Sequence, residues 1–279
     1  MVALLCLRTC RGGFMVLDLA NSLANKRALI CGASQGIGEA TAQTLAKLGA
    51  EVILVARTQE KLEAVKSQLA TKGGQKHQVL ALDLSLTDSL NHALDSLLAT
   101  GPISIVVNNA GGPKGGALLE ATDEEFLQGF QAHILASSLI AKKVVPGMKE
   151  QRWGRFINII STSVKAPIAN LGVSNTIRGA MASWSKSLAN ELAPFGITVN
   201  NVLPGYTETP RLEALAQAAA QRQGKSVEEI KNLWKAATPA GRFAKPQEVA
   251  ETIAFLASSS AGFITGINLP VDGGRTPCL

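Results

Sequence analysis

Tyrosine is almost missing from this 279-residue chain: a single one stands at position 206, and aromatic residues of every kind make up 4%. A reaction that needs a phenol must use Tyr206 or do without. Cysteine is scarce as well. Cys6, Cys10, Cys31 and Cys278 fall at spacings that suit neither a disulfide framework nor a zinc site, so no metal is expected. The same scarcity points to a reducing compartment, the cytoplasm. Charged residues are only 17%, and the net charge of +6 comes from basic residues scattered among acidic ones. Without a basic stripe, neither nucleic acid nor a membrane surface is an expected partner. The stretch from Met1 to Phe14 carries Arg8, Arg11 and no acid, but it is too short for a secretory core or a membrane span. Residues 1–18 read as a loose extension, or as an over-long reading frame ahead of Met15.

What is present is a regular alternation. From Arg27 onward, short apolar or β-branched runs are separated by longer helical patterns, as in a parallel sheet covered by helices on both faces. Strands are expected at Arg27–Cys31, Glu51–Ala56, Gln78–Leu82, Ser104–Asn108, Arg155–Ser161, Thr198–Leu203 and Asn268–Val271. The fold class is therefore α/β, a single-domain Rossmann fold over residues 19–279 with a doubly wound, seven-stranded parallel sheet. In the first helix Ala40, Leu45 and Leu48 share a side and Gly49 sits where a C-cap glycine belongs. Long helices are expected at Asp123–Lys149 and Val173–Leu192. Residues 206–245 are polar and alanine-rich, with Leu212, Leu215, Leu233 and Trp234 but no strand pattern, and read as a helical lobe over the sheet's carboxyl edge. Trp153, Trp184 and Trp234 lie apart on helical stretches and read as packing residues, as do Met148 and Met181.

The first strand runs straight into Cys31-Gly32-Ala33-Ser34-Gln35-Gly36-Ile37-Gly38, inside which the first helix begins. Gly32 permits a tight turn, Gly36 lets backbone approach a diphosphate, and Gly38 allows close packing of helix on strand. The helix start, with Ser34, Gln35 and Ile37 around it, presents free N–H groups and partial positive charge to phosphate. Asn108-Asn109-Ala110-Gly111 follows the fourth strand and Pro204-Gly205 the sixth. Taken together, these motifs resemble those of the short-chain dehydrogenase/reductase family, 3-oxoacyl-carrier-protein reductases included, from about Leu19 to Gly274, with Cys31 in place of the family's threonine. The resemblance implies that Asp83 and Leu84 flank an adenine, that Asn109, Ala110 and Gly111 line the cofactor trough, and that Pro204, Gly205, Thr207 and Thr209 contact the nicotinamide and phosphates. Arg57, closing the second strand, suits the 2′-phosphate of NADP(H), with NAD(H) the alternative. Gln35 occupies a position that is basic in many NADP-preferring members.

In that family a serine polarises the substrate carbonyl, a tyrosine in Tyr-x-x-x-Lys transfers the proton, and an asparagine holds a water relay. Alignment puts Ser161 at the serine and His133 at the asparagine position. The tyrosine and lysine positions fall on Ser174 and Arg178, so the pair reads Ser-x-x-x-Arg. Tyr206 cannot stand in for the missing phenol within that motif, because Pro210 takes the lysine position after it. An aliphatic hydroxyl titrates far above the phenol's pKa of about 10, leaving His133, or secondarily Tyr206, as proton candidates. Arg178 can bond the nicotinamide ribose and steady a developing alkoxide. Two functions remain open at this point. One is an NADP(H)-dependent oxidoreductase acting on a small-molecule carbonyl or secondary alcohol. The other is a catalytically silent NADP(H)-binding sensor or assembly protein. The resemblance further implies a homotetramer or homodimer through the long helices, whose Ala136, Ser137, Gly179 and Ala182 are small enough for close packing.

Overall fold

The computed structural model describes residues 22–278. The extension expected over residues 1–18, with Cys6 and Cys10, lies outside the described residues. The strands are β1 (Arg27–Cys31), β2 (Glu51–Ala56), β3 (Gln78–Ala81), β4 (Ile105–Asn108), β5 (Gly154–Ile159), β6 (Ile197–Pro204) and β7 (Asn268–Val271). They form one seven-stranded sheet in the order β3-β2-β1-β4-β5-β6-β7, with every neighbouring pair parallel. Apolar runs such as Val52-Ile53-Leu54-Val55 are buried because both faces of the sheet are covered. Ala28 and Ile30 enter one core with Leu45 and Ala46 of α1 (Gly36–Lys47) and Ile253 and Leu256 of α9 (Pro246–Ala257). Leu29 and Cys31 point the other way, into a second core with Leu90 and Leu94 of α3 (Thr87–Ala99). β1 pairs with both β2 and β4, so the sheet's direction of winding reverses there, and a crevice opens at the carboxyl ends of β1 and β4.

All seven expected strands form, β1, β2 and β7 with the expected ends and the other four with shifted ones. The largest shift is in β5, expected to run to Ser161 but ending at Ile159. Ile160 makes one more backbone bond, donating to Val202 at 3.0 Å. Ser161 then turns its hydroxyl onto the Ser163 N–H at 3.1 Å, capping a short 3₁₀ turn, Thr162–Val164. The expected helix Asp123–Lys149 is not one element. It begins as α4 (Asp123–Phe130), capped by a reciprocal Thr122–Glu125 box, widens into a π-turn over Gln131–Leu135, and resumes as α5 (Ala136–Gln151). The small residues expected to line a contact between copies are mostly spent inside the subunit. Ala136, Ser137 and Ala182 are buried, and only Gly179 faces open space. The remaining helices are α2 (Gln59–Lys66), α6 (Gly172–Leu192), α7 (Pro210–Gln223) and α8 (Val227–Ala236), the last two forming the expected lobe around Ala216, Ala219 and Ile230. Its single strand-like feature is an isolated bridge between Thr207 and Ala244.

A ladder of asparagines crosses the sheet in register. Asn108 donates to Asn158 Oδ1 at 2.7 Å, Asn158 to Asn201 Oδ1 at 3.0 Å, and Asn201 to Asn268 Oδ1 at 2.8 Å. The second amide proton of Asn158 goes to Ser185 Oγ of α6 at 2.9 Å, so α6 is pinned to the sheet's centre. Asn158 is fully buried. Replacing it by Ala strands the Asn108 amide and the Asn201 carbonyl, and each unsatisfied buried group costs about 1–3 kcal/mol. Asn158→Ala is therefore expected to lower stability by about 3 kcal/mol or more, read as a reduced urea midpoint with an unchanged slope.

Candidate active site

Three backbone segments meet at the crevice. Gly32 turns with φ +62°, and a Cβ there would strike the carbonyl oxygen of Asn109. A Cβ on Gly38 would collide with the Gly32 carbonyl, so the first turn of α1 lies directly on the loop. Asn109 Nδ2 completes the contact by donating to Gly32 O at 3.3 Å. Gly36 also has φ +62°, and the nearest atom to an added Cβ there would be the Thr209 methyl, at 3.0 Å. Gln35 precedes α1 in an extended conformation and makes no side-chain cap, leaving the helix's first N–H groups free for another acceptor. A dinucleotide diphosphate fits this cradle. Burial pushes the Cys31 thiol up to about 12, so in the family's threonine position it acts as an inert packing group.

Further along the edge, Asp83 accepts hydrogen bonds from the Ser85 N–H and hydroxyl at 2.9 and 2.8 Å. These two bonds, with the Arg57 charge nearby, hold its carboxyl below the usual range. Arg57 itself is exposed at the end of β2. Thr207 and Thr209 bond within their own turn, and the Thr209 hydroxyl caps α7 by accepting from Leu212 N at 3.2 Å.

Arg178 and Ser174 share one face of α6, and both are buried. The Arg178 Nη1 donates to the Ile159 carbonyl at 2.8 Å, which brings the guanidinium to the end of β5, just before Ser161. Its Nε is buried and unpartnered. Burial lowers its pKa to about 10, and repulsion from Arg211 adds to the shift, so it stays charged at neutral pH. His133, on the π-turn, points to Gly111, and because a carbonyl only accepts, Nε2 carries the proton of this 3.1 Å bond. Burial, and then the Arg178 charge, push its pKa down to about 3. His133, a proton candidate by sequence, is thereby a neutral donor holding the Gly111 loop. Tyr206 is engaged as well. Trp234 stacks on its ring at 4.8 Å and 7°, Arg275 covers it at 4.4 Å, and Arg275 Nη2 donates to its hydroxyl at 3.3 Å. Trp234 thus joins the lobe to the Pro-Gly turn. Beside Thr162 opens a cleft of about 400 Å³ with Ala166, Pro167, Ile168 and Arg275 in its wall.

The enoyl-(acyl carrier protein) reductase family model matches residues 32–276. The chain is 35% identical over 256 residues to the 3-oxoacyl-[acyl-carrier-protein] reductase FabG of Aquifex aeolicus, covering 90% of this chain and 98% of that protein. This chain is a short-chain dehydrogenase/reductase. The FabG of Escherichia coli K12 is 38% identical over 254 residues, 89% of this chain and 96% of its own length. Among solved structures, L-sorbose reductase from Gluconobacter frateurii, complexed with NADPH and L-sorbose, superposes with TM-score 0.87 at 30% identity, covering 94% of this chain and all of that one. YwfH, an NADPH-dependent reductase involved in bacilysin biosynthesis, gives TM-score 0.87 at 28% identity over 92% of this chain. No helix among the described residues of this short-chain dehydrogenase/reductase is long and apolar enough to cross a membrane.

Sequence reading passed over two arginines of this dehydrogenase/reductase. Arg275 lies beyond the last strand, where no motif marks it. Arg211 did leave a signal: it is the second residue of α7, a cation at the positive end of a helix, where acids are favoured. The neutral state of His133 has a measurable consequence. An unfolded chain takes up this proton near 6.5, the folded one only near 3, so stability falls as pH is lowered through that window. His133→Gln keeps an N–H donor and does not titrate. Its urea midpoint is expected to fall less than that of the wild type between pH 6.5 and about 5, above the main carboxylate range. Parallel curves for the two proteins would contradict a neutral imidazole.

Proposed function

We propose that this protein is an NADP(H)-dependent oxidoreductase that acts on a carbonyl or secondary alcohol substrate at the carboxyl ends of β4 and β5. One observation carries the reading: the glycine cradle that fits a dinucleotide and the Ser161–Arg178 pair occupy the same edge of the sheet. The bound nicotinamide supplies or accepts the hydride. Gly32, Ser34, Gln35, Gly36, Ile37 and Gly38 form the diphosphate cradle, Asp83 and Leu84 flank the adenine, and Arg57 pairs with the 2′-phosphate. Asn109, Ala110, Gly111, Pro204, Gly205, Thr207 and Thr209 border the nicotinamide. The structural neighbours whose titles name NADPH support the preference over NAD(H).

Ser161 already accepts the Ser163 N–H, which leaves its own O–H free to donate to the substrate oxygen. Arg178 holds the nicotinamide ribose and places a fixed positive charge near that oxygen as negative charge develops. Ser174, an aliphatic hydroxyl, contributes a neutral hydrogen bond. The alkoxide takes its proton from water entering by the cleft, and the resulting hydroxide passes to solvent. Assembly as a homodimer or homotetramer through α4, α5 and α6 is supported by the exposed apolar residues Leu127, Phe130 and Leu135. A cytoplasmic location is in keeping with the few cysteines.

A second reading, a catalytically silent NADP(H)-binding sensor or assembly protein, is favoured by the neutral His133 beside a serine in the tyrosine position. A panel of ketones and 3-oxoacyl thioesters, followed through NADPH absorbance, separates the two. Turnover is expected, and Ser161→Ala is expected to reduce kcat/KM by about 100-fold or more while leaving NADPH affinity intact. Tight NADPH binding with silence across the whole panel would decide for the second reading. In calorimetry, Arg57→Ala is expected to weaken NADPH about tenfold, the loss of one charge-assisted contact, and to leave NADH unchanged. Equal loss for both cofactors would remove Arg57 from the phosphate site.

A further inference from the structure

We infer that Arg178 and Arg211 form a two-guanidinium receptor for the carboxylate of an oxo-acid substrate, beside the Gly111–Pro113 turn. The inference rests on the proposed hydride-transfer site and adds a substrate class to it. Arg178 is 8% exposed and, among the described residues, belongs to no ion pair and keeps a buried Nε without a partner. Arg211 comes from the other side, out of the lobe, and its Nη2 donates to the Pro113 carbonyl at 2.8 Å. The two meet over Gly112. A Cβ there would lie 3.2 Å from Arg211 Nη2 and 3.6 Å from Arg178 Nη2, so any side chain at this position would fill the space between the guanidiniums.

Among the described residues, neither guanidinium is in an ion pair with a carboxylate. The charge felt by Arg178 is that of Arg211, which repels it, and the neighbouring His133 is driven neutral rather than negative partners being supplied. Arg211 stands in the first turn of α7, where the helix's own N–H groups add positive potential. Two cations and a helix start, gathered without a counter-charge, are mutually unfavourable until an anion arrives. A carboxylate matches them chemically, because each guanidinium offers paired N–H donors to its two oxygens. The arrangement also accounts for arginine in place of the family's lysine. One Arg178 amino group is held by Ile159, and the fork retains further donors for a second ligand.

An anionic group could also come from the cofactor's own phosphates, and the experiment separates these sources. The full-length protein is saturated with NADP⁺, a step that by itself tests the hydride-site reading, and titrated in a calorimeter with oxamate and with methyl oxamate, its neutral ester. Oxamate is expected to bind at least about tenfold more tightly than the ester, with affinity falling as salt is raised. Arg211→Met is expected to abolish that preference and Arg211→Lys to restore part of it, while NADP⁺ affinity changes less than about threefold in both. No preference in the wild type overturns the inference. Equal loss of NADP⁺ and oxamate binding in Arg211→Met overturns it too, assigning the arginine to cofactor phosphate. If NADP⁺ fails to bind, the hydride-site reading fails separately, and titration of the cofactor-free protein with malonate, at low and high salt, still decides whether the pair receives a carboxylate.

Discussion

The contact on which the rest of the site depends is between backbones: the Gly32 carbonyl lies under the first turn of α1 at Gly38, and the Asn109 carbonyl lies against Gly32. β1 and β4 are neighbours in the sheet, so the loops leaving their carboxyl ends must pass within van der Waals distance of each other. Only residues without a Cβ allow it. The packing puts the free N–H groups of α1 at the mouth of the crevice and holds the Asn109–Gly111 loop in place. His133 reinforces that loop by bonding Gly111. The proposed cofactor cradle and the proposed catalytic residues are two ends of one backbone arrangement.

The asparagine ladder plays the corresponding part inside the sheet. Amides on four adjacent strands bond in register, and Asn158 extends the row to Ser185. Directional bonds of this kind fix both the register of β4 to β7 and the rotation of α6, the helix that presents Ser174 and Arg178. An apolar centre would pack as well and specify the orientation of α6 less sharply.

Much of this was legible in the sequence, for reasons tied to particular residues. β1 and β2 carry unbroken apolar runs, Ala28–Cys31 and Val52–Ala56, and match expectation residue for residue. The Gly32–Gly38 motif occurs between a strand and a helix, where its geometry has one use. Ends of elements were less legible: β5 stops short because the Ser161 hydroxyl competes for local backbone, a choice invisible in a list of β-branched residues. The π-turn was hidden because its sequence, Gln131 to Leu135, has ordinary helical character. Most obscure was electrostatics. A histidine in a motif position reads as a titrating group, yet its ionisation is fixed by burial and by Arg178, which is distant in sequence. Arg211 became meaningful only when folding set it against Gly112.

In the proposed site, Ser174 and Arg178, in the places the family resemblance gives to a tyrosine and a lysine, change more than the identity of an acid. A tyrosine beside a lysine forms a titratable pair, in which one group lowers the pKa of the other and a proton can move. A serine beside a buried arginine is fixed in charge across the whole physiological range, and burial, with the arginine's charge, keeps His133 neutral as well. Neither Arg178 nor His133 therefore changes protonation near neutrality. What is left is a static field of one sign, aimed at the position where an oxygen would gain negative charge. Such a field stabilises an alkoxide without delivering a proton to it, and it binds any anion that fits. In the proposed reaction, selectivity then comes from charge placement and not from the tuning of an acid.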